Sequence, residues 1–92
     1  MNFSWDMEKN KQLQVDRKVS FEDVLIALDE GRLLDILPHH NPQKYPNQRL
    51  FIVSIRGYVY YVPFVENGGG VFLKNIIPSR KYQKIYQGSQ DA

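Results

Sequence analysis

The clearest periodicity in this chain is helical. Phe21, Val24, Leu25 and Leu28 fall at i, i+3, i+4 and i+7, which puts four apolar side chains on one stripe. Ser20 is placed to cap that helix, and Asp23 three residues on completes a weaker form of the Ser-x-x-Glu capping box. Val19 and Val24 can pack across the cap as a hydrophobic staple, and Gly31 suits the left-handed position at the other end. An earlier helix is predicted over Asp6–Asp16, with Asp6 as its cap and Glu8 in its first turn. Its apolar stripe is thin, Leu13 with Met7 or Val15, so it should lie on the surface and depend on packing. Ahead of it, Phe3 and Trp5 at a spacing of two predict a short extended lead-in whose rings cap the core.

The second half of the chain changes period. Arg32–Leu37 reads as a short strand ended by Pro38. Arg49–Ile55 and Tyr58–Val65 are strands by their β-branched and aromatic content, joined at Arg56-Gly57 by a tight hairpin turn. A looser turn, Glu66–Gly70, leads to a last strand, Val71–Ile77. Turns this short make the meander antiparallel. Alternation in the strands is weak: Leu50 and Ile52 face one way, Phe51, Val53 and Ile55 the other. Both faces of the sheet should therefore be covered, by helices on one side and by helix, loop or partner on the other. Pro63 inside its strand argues for an edge, a bulge or a strand end. Between Pro38 and Gln48 three prolines predict an extended, non-helical loop, and about eleven residues is long for a connection. Ser79 caps a closing helix from Arg80 to Tyr86, and residues 88–92 should fray.

These elements predict a single α+β domain, 1–92, built in two layers: two N-terminal helices, a four-stranded antiparallel sheet and a C-terminal helix. A chain of this length buries roughly 60–65% of its unfolded surface, enough for one modest core. There is no apolar run of about 18 residues to span a membrane. The opening residues have neither a basic start nor an apolar signal core, and there is no cysteine, so the expected location is the cytoplasm. The net charge of +2 hides an asymmetry: residues 1–32 carry seven acids and five bases, residues 33–92 three acids and seven bases. Such a split hints at an anionic partner for the basic half.

Candidate chemistry follows that split. Lys44, Arg49, Arg56, Lys74, Arg80, Lys81 and Lys84 are interleaved with tyrosines 45, 58, 60, 61, 82 and 86. Cations neutralise phosphates and aromatic rings stack on unpaired bases, a combination that fits single-stranded RNA. The plainer reading makes the tyrosines half-buried strand residues with wet hydroxyls. His39-His40 can contribute to acid–base work near neutral pH, although solvated loop histidines are commoner. A metal site would need more ligands, and Asp35 is the only acid nearby; no metal or cofactor is expected. Gly68–Gly70 lies between strands and does not open a helix, so it is a turn and not a phosphate cradle. The segment Val71–Lys81 is the more specific signal. It starts as a strand, stops at Pro78, and restarts at Ser79 as a helix whose free N–H groups can hold a phosphate, with Arg80 and Lys81 on its first turn.

Two stretches carry a resemblance. Phe3-Ser4-Trp5-Asp6-Met7-Glu8-Lys9-Asn10, followed by Arg17-Lys18-Val19-Ser20-Phe21-Glu22, resembles the opening of BrnT-type toxins. Ile76-Ile77-Pro78-Ser79-Arg80-Lys81, with Tyr86 further on, resembles that family's closing Ile-Ser-Ala-Arg-Lys motif. Together they cover about a third of the chain. The chain departs from the pattern at Arg17-Lys18-Val19, where Lys-His-Gly is common, at Pro78-Ser79, where Ser-Ala is usual, and at Tyr82-Gln83-Lys84, where arginines are more frequent.

The resemblance implies a RelE-like fold and the toxin of a type II toxin–antitoxin system. Such a toxin is a metal-independent endoribonuclease that inhibits translation. Its implied partners are RNA and a protein antitoxin, often a DNA-binding repressor, with a toxin–antitoxin heterotetramer among the possible assemblies. By matched position, Lys9 and Arg80 become catalytic candidates, with Ser79 beside them. Lys81 becomes a backbone contact, and Arg49, Arg56, Lys74 and Lys84 are further RNA-binding candidates. The last strand should then deliver Arg80 beside the face that the first helix crosses with Lys9. A non-catalytic protein of the same fold, binding a partner or RNA, is the rival reading.

Overall fold

In the computed structural model, which describes residues 2–87, a mixed sheet carries helical segments on both faces. The chain opens with β1 (Asn2–Trp5), α1 (Met7–Arg17) and α2 (Phe21–Asp29). Then come β2 (Leu33–Pro38), β3 (Gln48–Ile55), β4 (Tyr58–Asn67), β5 (Gly70–Leu73) and β6 (Ile77–Pro78). The last described element is α3 (Arg80–Tyr82), a single turn that passes into a π-helical turn, Gln83–Gln87. The α+β class is as expected. The predicted four-stranded antiparallel sheet and the single closing helix are not what forms, and residues 88–92 lie outside the described residues.

Local rules explain the N-terminal helices. The Asp6 carboxylate accepts the Lys9 N–H at 3.0 Å, and Lys18 ends α1 in the left-handed region. Ser20 and Asp23 form a reciprocal capping box at α2. Gly31, at φ +77°, lets Arg32 donate to the Ala27 carbonyl at 2.8 Å and closes that helix. On α1, Leu13 is buried, but Met7 and Val15 are 73% and 78% exposed, so neither joins the stripe. Asn10 takes that place instead. Its amide donates to Glu22 Oε1 and its oxygen accepts the buried Phe21 N–H, both at 2.8 Å, so one polar side chain locks α1 to the start of α2. The bond from Asn10 holds the Glu22 carboxyl below its usual pKa.

The sheet order is β1-β5-β4-β3-β2. The aromatic lead-in is a full strand, pairing parallel with β5 from Asn2↔Gly70 to Trp5↔Leu73, so the sheet is not purely antiparallel. Gly70 fits there because a Cβ would lie 3.3 Å from the Asn2 carbonyl oxygen. β3 and β4 form the central hairpin, with Arg56 and Gly57 both at positive φ in its two-residue turn.

The predicted last strand is split in two. β5 pairs with Phe64–Asn67 of β4, whereas β6 pairs with Tyr60 and Tyr61 further along the same edge. Pro63 lies between those stretches, and its carbonyl accepts the Lys74 N–H at 2.8 Å. In an antiparallel ladder a residue's N–H and C=O point the same way, so the N–H that Pro63 lacks is missing from this edge. The ladder breaks there, and Lys74–Ile76 bulges. Arg17 of α1 then donates to the Ile76 carbonyl at 2.5 Å, tying the bulge to the first helix.

The core divides along β3. Phe51, Val53 and Ile55 pack with Val62, Phe64, Val71 and Leu73 beneath α1 and α2, meeting Leu13, Phe21, Val24 and Ala27. Leu50, Ile52 and Val59 lie on the opposite face beneath Tyr82, with Leu34, Leu37, Tyr61 and Tyr86 around them. The predicted two layers are therefore three. Replacing Asn10 with Ala leaves the buried Phe21 N–H unpaired and frees Glu22. It should destabilise the protein by about 1–3 kcal/mol in urea unfolding, against less than about 0.5 kcal/mol for the exposed Val15→Ser.

Candidate functional site

Four separate parts of the chain converge on the second face. Tyr82 docks there because Leu50, Ile52 and Val59 offer an apolar floor. Ser79 sets its approach: the Ser79 N–H donates to the Val59 carbonyl at 3.1 Å, and its buried hydroxyl accepts the Tyr82 N–H at 3.2 Å. Gln83 adds a second tether, its side-chain oxygen accepting the Val59 N–H at 2.8 Å. Tyr86, one turn on, donates its hydroxyl to Asp35 Oδ2 of β2 at 2.8 Å.

The β2–β3 loop, residues 39–47, supplies the remaining groups. It is not extended, as its prolines suggested, but folded into successive turns. Asn41 organises it, its side chain accepting the Lys44 N–H at 3.2 Å and its carbonyl the Tyr45 N–H at 2.9 Å. The Asn41 N–H donates to His39 Nδ1 at 3.0 Å, so in the neutral ring of His39 the proton sits on Nε2. His40 reaches back over the sheet. Its ring lies 4.8 Å from Tyr61, edge to face, and nearly parallel to Tyr82 at 5.8 Å. His40 Nε2 is 3.0 Å from the Tyr82 hydroxyl.

These contacts set the protonation states. Packing against the tyrosines holds the His40 imidazole below the usual histidine pKa, and the neighbouring His39 and Lys81 push the same way. Burial raises the Tyr82 phenol, with Tyr61 adding to the effect. The Tyr86 phenol is raised by burial and by donating to Asp35. At neutral pH the pair is thus a neutral imidazole against a protonated phenol. When Nε2–H donates to the Tyr82 oxygen, the Nδ1 lone pair is left as a proton acceptor, the arrangement a general base needs.

Rings continue in both directions from this pair. Tyr45, His39, His40, Tyr82 and Tyr86 follow one another with centroids 4.5, 5.8, 5.8 and 6.2 Å apart. Lys44 stands over Tyr45 at 5.4 Å and Lys81 over Tyr82 at 5.5 Å. Arg80 and Lys84 are exposed on the same closing segment. Among the described residues, none of these four cations is paired with a carboxylate.

The other candidates fall elsewhere. Lys9 is half-buried on α1, across the sheet from Arg80, so the first helix and the closing segment do not share a face. Ser79 is committed to capping α3, and three α-helical residues leave little of a helix start for a phosphate. Arg49 pairs with Glu66 and lies 5.3 Å from the Phe64 ring. Arg56 donates to the Lys18 carbonyl and sits 3.4 Å from Asp23. Lys74 is exposed, with its ammonium 5.4 Å from the Phe72 ring. Sequence reasoning had His40, Tyr82, Asp35 and Tyr86 in view but not their pairing, since the partners are 42 and 51 residues apart. The spacing of Tyr82 and Tyr86, four apart on a helical segment, was the available signal.

On the first face a groove of about 300 Å³ remains open, lined by Phe3, Leu28, Leu33, Ile36, Phe51 and Val71, with Arg49 and Glu66 at its rim. No helix among the described residues is long and apolar enough to cross a membrane. In comparisons with family models, curated proteins and solved structures, the chain matches none.

The His40 contact predicts a pH dependence of stability. The unfolded chain takes up a proton near the ordinary histidine pKa of about 6.5, while the folded protein resists it, so acid favours unfolding. Stability should fall as pH drops through that value and level off below the depressed pKa of the folded form. Urea midpoints between pH 7.5 and 5 should decline less in His40→Gln than in the parent, and equal declines would count against this packing.

Proposed function

We propose that this protein is the toxin of a type II toxin–antitoxin system, a RelE-like endoribonuclease that cleaves single-stranded RNA without a metal ion and so inhibits translation in the cytoplasm. The observation that carries this reading is the 3.0 Å contact of His40 Nε2 with the Tyr82 hydroxyl, on a closing segment whose cations Arg80, Lys81 and Lys84 have no carboxylate partner among the described residues. The resemblance of both ends of the chain to BrnT-type toxins supports it, since Arg80 and Lys81 belong to the matched closing stretch.

RNA supplies its own nucleophile. His40 Nδ1 takes the proton of a ribose 2′-hydroxyl while Tyr82 holds the other ring nitrogen and orients the imidazole. The 2′-oxygen attacks the adjacent phosphate, and Arg80 stabilises the charge that builds on it. Lys81 and Lys84 hold flanking phosphates. The 5′-oxygen leaves with a proton from solvent, giving a 2′,3′-cyclic phosphate and a 5′-hydroxyl. Lys9 stands outside this constellation. The antitoxin is proposed to occupy the apolar groove on the first face, across the sheet from Tyr82 and Tyr86. That same groove favours the second reading, a non-catalytic partner-binding protein.

Inducible expression with analysis of cellular RNA tests the proposal. The parent protein should arrest growth and fragment RNA. His40→Gln should lower cleavage by roughly 10²-fold or more and Arg80→Ala by about 10²-fold, with Lys9→Ala close to the parent. A parent protein that neither slows growth nor cuts RNA would leave the partner-binding reading in its place. Growth inhibition untouched by Arg80→Ala would remove that residue from the mechanism.

A further inference from the structure

We infer that His39 and Tyr45 form a seat for one unpaired RNA base, next to the nucleotide whose phosphate lies at His40, and that this seat favours purines. The inference rests on the RNA reading of the His40–Tyr82 site and adds a specificity element to it.

The pair has the character of a platform. The two rings are 4.5 Å apart and tilted by 40°, and each is only half-buried. They belong to the loop of nine residues, 39–47, between Pro38 at the end of β2 and Gln48 at the start of β3. Backbone and Asn41 bonds already fold that loop, including Tyr45 N–H to the Asn41 carbonyl and Gln48 N–H to the Tyr45 carbonyl at 3.2 Å. The Tyr45 ring is therefore not needed to close the turns, the His39 ring serves them only by accepting the Asn41 N–H, and the main core clusters contain neither ring. A loop that merely had to reach from β2 to β3 would be served by small polar residues. This one holds two aromatic rings and a lysine at a surface.

The position is right for a nucleotide. The His39 and His40 centroids are 5.8 Å apart, on the scale of one nucleotide step along an extended strand. With one sugar–phosphate unit at His40, its neighbour's base reaches the His39–Tyr45 pair. Lys44, exposed on the same turn, then sits where a further phosphate passes. His39 Nδ1 is occupied by the Asn41 N–H, so its Nε2–H is left as a donor at the rim, suited to an acceptor on a base edge. Stacking strength grows with ring area, so a purine gains more than a pyrimidine.

The test uses the full chain and 2′-fluoro octamers, which lack the attacking hydroxyl and cannot be cleaved by this route. Three fluorescent probes are compared by anisotropy: octaadenylate, octauridylate and an abasic octamer. The parent protein should bind octaadenylate more tightly than the abasic chain by about five- to hundredfold, with octauridylate between. Tyr45→Ala should abolish most of that difference, and Tyr45→Phe should retain it, because the ring stacks and the hydroxyl does not. Far-UV circular dichroism and the urea midpoint establish that both variants fold. Equal affinity of the parent for all three probes, or a Tyr45→Ala variant that still prefers adenine, overturns the seat and leaves the cleavage reading standing. Failure of the parent to bind any probe also overturns the seat. The cleavage reading falls with it only if the parent leaves cellular RNA intact on expression.

Discussion

The central hairpin of β3 and β4 is apolar on both faces, and neither face can be left in water. Phe51, Val53 and Ile55 point one way, and Leu50 and Ile52 the other, all of them buried. Each such side chain contributes roughly 1.5–3 kcal/mol when it is buried. Exposing only Leu50 and Ile52 would thus cost a large part of the 5–15 kcal/mol that holds a typical domain together. The rest of the molecule answers that constraint. α1 and α2 cover the first face, and Asn10 fastens α1 to the start of α2, which the Ser20–Asp23 box caps. Nothing as large is available for the second face. Tyr82, Tyr86 and the loop that carries His39 and His40 have to cover it.

That shortage gives the second face its chemistry. A cover of leucines would have been dry and inert. Tyr82 and Tyr86 bring an apolar ring with a polar tip, and burial of those rings requires the tips to find partners. Tyr86 finds Asp35 and Tyr82 finds His40. The same contacts lower the pKa of the imidazole and raise that of the phenol, so the Tyr82 that closes the second core cluster and the His40 laid against it become a candidate acid–base pair. The cations on the closing segment need solvent and stand at the rim.

Pro63 connects this cover to the sheet. By removing one donor from the free edge of β4, it stops β5 from running on, and the chain bulges through Lys74–Ile76. β6 then pairs further along the same edge, and Ser79 leaves it from the Val59 position and turns Tyr82 onto the second face. An uninterrupted strand from Val71 to Ile77 would have carried Arg80 and Tyr82 elsewhere. Arg17, at the end of α1, holds the bulge from the other side of the sheet.

Much of the fold was legible in the residues because its determinants are local. The caps of α1 and α2, Gly31, the Arg56-Gly57 turn and the two-faced pattern of β3 follow from neighbours within four or five positions. Phe3 and Trp5 announced an extended segment, but not its parallel pairing with Gly70–Leu73, since nothing near Asn2 encodes a partner at the far end of the chain. Pro63 announced an irregularity, but which edge would break depends on which neighbour its missing N–H faces. The site was least legible. Sequence named the tyrosines, the histidines and the cations, because residue types carry chemistry by themselves. Only the tertiary structure decided that His40 and Tyr82 meet, that Lys9 and Arg80 lie on opposite faces, and that Arg49 and Arg56 are taken up by carboxylates. Such meetings are set by how layers pack across the sheet, and no spacing along the chain fixes that.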